Sequence, residues 1–333
     1  MSFQNIGIIG AGGWGTALAL LLHENRLPIT LWGHHAAEIK GFAARRENHI
    51  YLPGVALPET FRWTGELDDL ATCDLLLFVT PSKATREVAA RLSTVALRAD
   101  AVLLSCTKGV ERGSGKRMTE IIAEHLPTHT IAALSGPSHA EEVARKAPTA
   151  VTVACADAAV AQRLQTAFST SFFRAYTNDD VAGVELGGAL KNIFALAAGV
   201  SDGIGLGDNS KAALITRALA EMIRLGAALG GRRETFSGLS GVGDLMVTCF
   251  SHHSRNRGVG ERLGKGERLA DITSSMQMIA EGVPTTYSAQ ECARKLDIET
   301  PIIDQMRALL DGEHSPREVM GNLLSRDPRP ENQ

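Results

Sequence analysis

The residues Gly10-Ala11-Gly12-Gly13-Trp14-Gly15 constrain this chain more than any other segment. They follow the apolar run Ile6-Gly7-Ile8-Ile9 directly and lead into residues 13–24, where apolar side chains recur with helical spacing. A buried strand that turns straight into a helix needs glycine here for separate reasons. Gly10 permits the tight turn, Gly12 leaves the backbone open to a close ligand, and Gly15 lets helix and strand pack together. The helix start offers unpaired N–H groups and the positive end of its dipole to phosphates. In this strand–turn–helix setting the glycines predict a dinucleotide site.

The rest of the first half continues the same alternation. Ile29-Thr30-Leu31-Trp32 reads as a second strand, and further apolar runs at 74–80, 101–107, 130–135, 150–154 and 172–176 read as strands between helical stretches. Runs apolar on both faces suit a parallel sheet covered on each side, which predicts an α/β fold with an N-terminal Rossmann-type doubly wound sheet. Near Thr177-Asn178-Asp179-Asp180 the strand pattern stops, and Asn or Asp there can cap a helix. Ala/Leu-rich helical stretches follow. The expected division is a dinucleotide-binding domain at 1–178 and an all-helical C-terminal domain, carrying substrate and catalytic groups, at 179–333. A length of 333 residues suits two domains. The polar, Pro-containing tail at 326–333 is expected to fray.

Bulk properties exclude several roles. A formal charge of −3 gives no broad basic field, so neither nucleic acid nor an anionic membrane is expected as a partner. The 5 cysteines form no Cys-x-x-Cys pair, which suits a reducing compartment. The N-terminus lacks the basic start of a signal peptide, and the longest apolar stretch, 189–200, is short of a membrane span and contains Lys191. A cytoplasmic location without a membrane span follows. Cys249 and His252 have no second metal-like pair beside them, so no metal site is expected.

The cofactor choice between NADP(H) and NAD(H) stays open. The second strand ends in Trp32-Gly33-His34-His35, with no carboxylate to receive a ribose 2′-hydroxyl, and that leaves room for a 2′-phosphate. His34 is a candidate contact to the adenosine end.

Candidate chemistry comes from separate segments. Val79-Thr80-Pro81-Ser82, Cys106-Thr107-Lys108-Gly109 and Ser135-Gly136-Pro137-Ser138 each follow a strand, where ligands of open α/β sheets bind. Ser138 reads as a helix N-cap. Lys191 sits in Val184-Glu185-Leu186-Gly187-Gly188-Ala189-Leu190-Lys191-Asn192-Ile193-Phe194, a segment apolar around most of its circumference. An ammonium buried there, beside a second cation such as Lys108, should have a depressed pKa suited to acid–base work near neutrality. Gly187 and Gly188 weaken the helix and imply a close approach. Asp244, in Gly241-Val242-Gly243-Asp244-Leu245, reads as a partner for Lys191, as an acceptor for a substrate hydroxyl, or as an N-cap. Ser254-Arg255-Asn256-Arg257 offers donors for a phosphate, with bidentate geometry at Arg255.

These segments in order are similar to the bacterial NAD(P)-dependent glycerol-3-phosphate dehydrogenase family. The resemblance is carried by residues 10–17, Leu-Trp-Gly-His at 31–34, Tyr-Leu-Pro at 51–53, Thr-Lys-Gly at 107–109 and Ser-Gly-Pro-Ser at 135–138. It continues through Glu-Leu-Gly-Gly-Ala-Leu-Lys-Asn at 185–192, Ser-Asp-Gly at 201–203, Gly-Asp-Leu at 243–245, Ser-Arg-Asn-Arg at 254–257 and Glu-Gly at 281–282. It implies reduction of dihydroxyacetone phosphate to sn-glycerol 3-phosphate, supplying glycerophospholipid synthesis. It implies that Lys191 is the proton-transfer lysine and that Lys108, Gly136, Ser138, Asp244, Ser254, Arg255 and Asn256 contact substrate. Gly13, Trp14, His34, Lys108, Ala140, Arg255 and Glu281 match cofactor-contacting positions. The chain departs from the family in having Gly13 where Ser is common, and in the sequence after Gly282. A helical second domain also offers surface for a homodimer.

Two other readings use part of the same evidence. A related Rossmann hydroxyacid dehydrogenase would not need the Ser-Arg-Asn-Arg cluster. A non-catalytic dinucleotide-sensing regulator would need the glycines but neither Lys191 nor Asp244 in a buried helical domain.

Overall fold

The computed structural model describes residues 2–276, 278–328 and 330–331. Its first half is an 8-stranded sheet in the order β3-β2-β1-β4-β5-β6-β7-β8. The strands are β1 (Ile6–Ile9), β2 (Ile29–Trp32), β3 (Arg62–Thr64), β4 (Leu75–Phe78), β5 (Val102–Ser105), β6 (Thr130–Ser135), β7 (Thr149–Ala154) and β8 (Phe173–Asn178). Between them lie α1 (Gly13–Glu24), α2 (Ala36–Arg45), α3 (Thr85–Leu92), α4 (Met118–His125), α5 (Ala140–Ala144) and α6 (Ala158–Phe168). The order reverses direction between β1 and β4, so the crevice beyond their carboxyl ends is the topological switch point where such sheets bind ligands. Central strands β1, β4 and β5 are buried along their whole length, which is why they read as unbroken apolar runs rather than as alternation.

The doubly wound α/β architecture is as expected, with two differences. The sheet is mixed, because β6 and β7 pair antiparallel, Ser135 opposite Thr152. The connection between them holds only the 5-residue α5, which packs on α1 instead of crossing the sheet, so the chain returns alongside β6 in the opposite sense. Burial on both faces of β7 leaves its direction invisible to a pattern argument. The second difference is β3, a 3-residue edge strand of partly exposed residues paired with β2, too short and too polar to stand out.

After β8, no strand occurs among the described residues. The second half consists of α7 (Val181–Gly203), α8 (Asp208–Ala228), α9 (Asp244–Phe250), α10 (Arg255–Gly264), α11 (Leu269–Ser274), α12 (Gly282–Lys295), α13 (Pro301–Leu310) and α14 (Pro316–Leu324). Asp180 caps α7, accepting from the Gly183 N–H at 2.8 Å, and also takes the Arg232 N–H and the Thr235 hydroxyl. The stretch expected at 189–200 is thus part of a 23-residue helix, long and apolar enough by composition alone to cross a bilayer. It is instead the core of this half, with 89% of its most apolar window buried inside the protein. Glycines let α10 lie almost against its backbone: a Cβ at Gly260 would come within 2.0 Å of the Leu196 carbonyl oxygen, and one at Gly199 within 2.0 Å of that of Arg257.

α7 also ties the halves together. The buried carboxylate of Glu185 accepts from the Thr119 N–H and hydroxyl at the start of α4 and from Arg117 Nη1 at 2.6 Å. All 5 cysteines are buried free thiols. In the tail, Arg329, Asn332 and Gln333 lie outside the described residues, as does Met1 at the N-terminus. Arg326 pairs there with Glu299, and Arg217 donates to the Glu331 carbonyl.

Candidate active site

The glycine turn at the end of β1 is built as a cradle. Gly10 has φ +122°, and a Cβ there would stand 2.6 Å from the Val79 carbonyl oxygen across the switch point. A Cβ at Gly15 would meet the Gly10 carbonyl oxygen at 1.9 Å, whereas Gly12 has nothing within 4 Å and is open to a ligand. No side chain caps α1, and its first turn has no acidic residue. Its leading N–H groups are therefore available to an anion. Trp14 adds a buried indole N–H without a partner among the described residues. These features fit the pyrophosphate of a dinucleotide.

At Gly13 the structure supplies a local reason for glycine: a Cβ there would stand 2.6 Å from the Tyr51 carbonyl oxygen. His34 is exposed at the end of β2, with its ring 4.9 Å from that of His35. The nearest carboxylate along the chain, Glu38, is engaged with the Tyr51 hydroxyl at 3.3 Å.

Beyond the strand ends, three segments far apart in sequence converge. Lys191 is 6% exposed, and its ammonium donates to the carboxylate of Asp244 and, at 2.7 Å, to the hydroxyl of Thr248. Lys108, following β5, donates to the other Asp244 oxygen at 2.7 Å and to the Gly136 carbonyl at 2.9 Å. The Thr248 hydroxyl donates to the Asp244 backbone carbonyl at 2.6 Å, so its lone pairs face the lysine. Gly188 and Gly187 make this approach possible. A Cβ on the first would lie 2.2 Å from Ser135 Oγ and 3.5 Å from Lys108 Cγ; on the second it would lie 2.4 Å from the Ser240 carbonyl oxygen. The chain reaches Asp244 through a π-type turn at Leu239–Gly243, an irregularity frequent at functional sites.

The electrostatics follow from two ammonium groups on one buried carboxylate. Burial pushes the Lys191 pKa down to about 7, Asp244 opposing and the Lys108 charge assisting the fall. Burial alone would raise Asp244, but the Lys108 and Lys191 charges outweigh it and hold the carboxyl below its usual value. The cluster thus holds a poised proton at Lys191 above an anion fixed in its ionised state.

The other expected residues take different places. Ser138 does not cap a helix: its hydroxyl donates to the Gly136 carbonyl at 2.8 Å, and α5 starts one residue later, with His139 at the cap position and Ala140 first. Gly136 itself has φ +142°. Ser254 is the residue that caps, accepting from the Arg257 N–H at 3.2 Å. Asn256 bridges Asn192 and the Gly282 N–H, which locks α10 to α7 and α12. Arg255 is exposed, donates to the Ile279 carbonyl at 3.1 Å, and feels the charges of Glu141 and Glu281. Glu281 is held over the strand ends by Ser82, accepting from its N–H at 2.9 Å and its hydroxyl at 2.5 Å. Arg257 instead pairs with Asp202 at 2.6 Å inside the helical half.

Sequence reasoning missed Thr248 and placed Ser82 only as part of a loop after a strand. Thr248 stands four residues after Asp244 on one helix face, a spacing that could have revealed it. Ser82 had no signal beyond its place after a strand.

Two family models match the chain: NAD-dependent glycerol-3-phosphate dehydrogenase N-terminus over residues 5–161 and NAD-dependent glycerol-3-phosphate dehydrogenase C-terminus over residues 180–321. The chain is 47% identical over 328 residues to a glycerol-3-phosphate dehydrogenase [NAD(P)+] of Citrifermentans bemidjiense, covering 97% of this chain and 98% of that one. It is 46% identical over 332 residues to the protein of the same name from Geobacillus thermodenitrificans, covering 98% and 96%. Among solved structures, glycerol-3-phosphate dehydrogenase from Coxiella burnetii superposes with a TM-score of 0.93 at 38% identity, covering 97% of this chain and 99% of that one.

Proposed function

The chain belongs to the NAD-dependent glycerol-3-phosphate dehydrogenase family, and on that premise we propose that it reduces dihydroxyacetone phosphate to sn-glycerol 3-phosphate, reversibly, with Lys191 as the proton donor. The observation that carries this reading is the Lys191 ammonium held between Asp244 and Thr248, with Lys108 on the same carboxylate.

Gly10, Gly12, Gly13, Trp14 and Gly15 hold the dinucleotide pyrophosphate, His34 lies toward the adenosine end, and Lys108, Ala140, Arg255 and Glu281 line its remaining length. When bound, the reduced nicotinamide supplies the hydride that forms the new C–H bond at the ketone carbon. Lys191 gives its proton to the ketone oxygen as that bond forms, becomes a neutral amine, and is reprotonated from water. Asp244 holds the lysine in place and, with Lys108, fixes the carbonyl and the neighbouring hydroxyl of the substrate, together with Gly136 and Ser138. Arg255 meets the substrate phosphate, with Ser254 and Asn256 setting the start of α10 beneath it. In the reverse direction neutral Lys191 takes the hydroxyl proton.

In this reading residues 1–178 bind the dinucleotide and residues 179–333 bring the acid–base and phosphate groups. What supports it is the end of the sheet at Asn178 and the start of α7 at Val181. The product supplies glycerophospholipid synthesis, and the buried free cysteines suit a cytoplasmic setting. A homodimer belongs to the same proposal, with the exposed side chains of Met246 and Phe250 on α9 as apolar surface for it.

The test follows absorbance at the reduced-nicotinamide band with NADPH or NADH and dihydroxyacetone phosphate. Wild type turns over, and Lys191→Ala loses turnover by about 10³-fold or more while still binding NADPH. Full activity in purified Lys191→Ala would overturn the assignment.

A further inference from the structure

His139 lies between Ser138 and Ala140, yet the chemistry above gives it no work. Its Nε2 is buried and has no hydrogen-bond partner among the described residues. Buried polar atoms are normally paired, so an orphan of this kind needs a reason. Three observations locate it. It stands at the cap position of α5 directly after the Gly136-Pro137-Ser138 turn, whose Gly136 carbonyl receives Lys108. Its ring centroid is 5.8 Å from that of His253, in the loop that leads to Ser254 and Arg255 from the helical half. The charges of Lys191 and Lys108 act on it, as do those of Glu142 and Glu141, and Glu141 acts on Arg255 as well. His139 is therefore within electrostatic reach of the lysine cluster, and its ring neighbour His253 stands two residues before Arg255.

We infer that His139 recognises the phosphate end of the substrate, its unpartnered ring nitrogen donating across the cleft beside His253. This rests on the ketose-phosphate reading above and adds a contact that reading lacks. A phosphate monoester carries several strong acceptor oxygens, and one arginine fork leaves some unmet. Burial and the two lysine charges hold the imidazole below its usual pKa, so near neutrality His139 is uncharged and donates one N–H. It adds direction without bringing another cation beside two lysines and an arginine. His253 comes from the other half of the molecule, so the pair forms only when both halves stand close.

The experiment compares His139→Phe and His139→Gln with wild type on two substrates, dihydroxyacetone phosphate and phosphate-free dihydroxyacetone, with NADPH affinity measured by fluorescence. Expected for His139→Phe is a KM for the phosphate ester raised about tenfold or more, as for loss of a hydrogen bond to a charged group. Its kcat, its NADPH affinity and its kcat/KM on dihydroxyacetone stay within about twofold. His139→Gln, which keeps an N–H near the same place, recovers most of the KM.

An equal loss on both substrates, an unchanged KM, or weakened NADPH binding would each overturn the assignment. If His139→Phe fails to fold, His139→Ala takes its place, with the phosphate-ester KM expected about tenfold or more above wild type and an unchanged KM overturning the inference. Absence of wild-type turnover would remove the function itself and this contact with it. A normal wild type with an indifferent His139→Phe or His139→Ala removes the contact alone.

Discussion

Lys191 on α7 and Asp244 on α9 are joined ammonium to carboxylate in the interior, and Asp244 is fully buried with a second ammonium, that of Lys108, on its other oxygen. One anion thus holds two cations, and the excess charge falls on the lysine that burial already disfavours.

The first consequence is a pH limb. With the Lys191 pKa near 7, the donor is protonated below that value and spent above it. The kcat/KM for ketone reduction should fall as pH rises through about 7, while that for alcohol oxidation should rise over the same interval. Initial rates from pH 5.5 to 9 in both directions check this, and a flat profile would contradict it.

Asp244→Asn removes the anion and leaves two ammonium groups facing each other. The Lys191 pKa should then drop further, moving the limb below 7, and reductive turnover should fall by about 10²-fold or more. Breaking a buried pair from one side also costs about 3–5 kcal/mol. Denaturant titration gives the second quantity, and the pH–rate profile of the variant gives the first.

Gly13→Ser, which adds a side chain to the cradle, should not be benign in this chain. Its Cβ would press on the Tyr51 carbonyl oxygen at 2.6 Å, a backbone atom that cannot swing aside. We expect a loss of about 1–3 kcal/mol of stability and weaker NADPH binding. Thermal melts with and without NADPH measure both, and an unchanged melting temperature would show that the Tyr51 loop yields freely.

A stability test lies in the helical half. Glu221 accepts the Ile302 and Ile303 N–H groups at the start of α13, at 3.0 and 2.9 Å, yet burial pushes its pKa up to about 7. A folded-state pKa raised above the ordinary 4.5 means stability that is present in full below 4.5 and lost as pH rises through 7. The loss is about 3 kcal/mol. Glu221→Gln keeps one acceptor and does not ionise, so the difference in unfolding free energy between pH 5 and pH 8 should shrink by about that amount relative to wild type.

The glycine turn was legible because Gly10 and Gly15 answer local geometric needs that a side chain cannot meet, while Gly12 leaves the backbone open. Lys191 was legible for the opposite reason: an ammonium contradicts the apolar helix around it. Thr248 was not, since a threonine on a half-buried helix is ordinary until the facing lysine is known. Ser138 reads as a cap because it precedes a helix, but the Gly136 carbonyl takes its hydroxyl, whereas Ser254, read as a phosphate donor, caps α10. The antiparallel β7 was hidden by burial on both faces, and β3 by its brevity at an edge. Where a residue's role is settled by its neighbours in the chain, sequence carries it; where it is settled by the partner across the cleft, sequence is silent.

The grip of Glu185 on Thr119 and Arg117 has a practical corollary for dissection of the molecule. The first turns of α7 are moored to the start of α4, and its last turns are woven into α10, so the helix that follows the sheet is gripped by both halves. Hybrids that exchange the helical half for that of a relative will therefore keep Lys191 in register only if the helix and its Thr119–Arg117 mooring travel together.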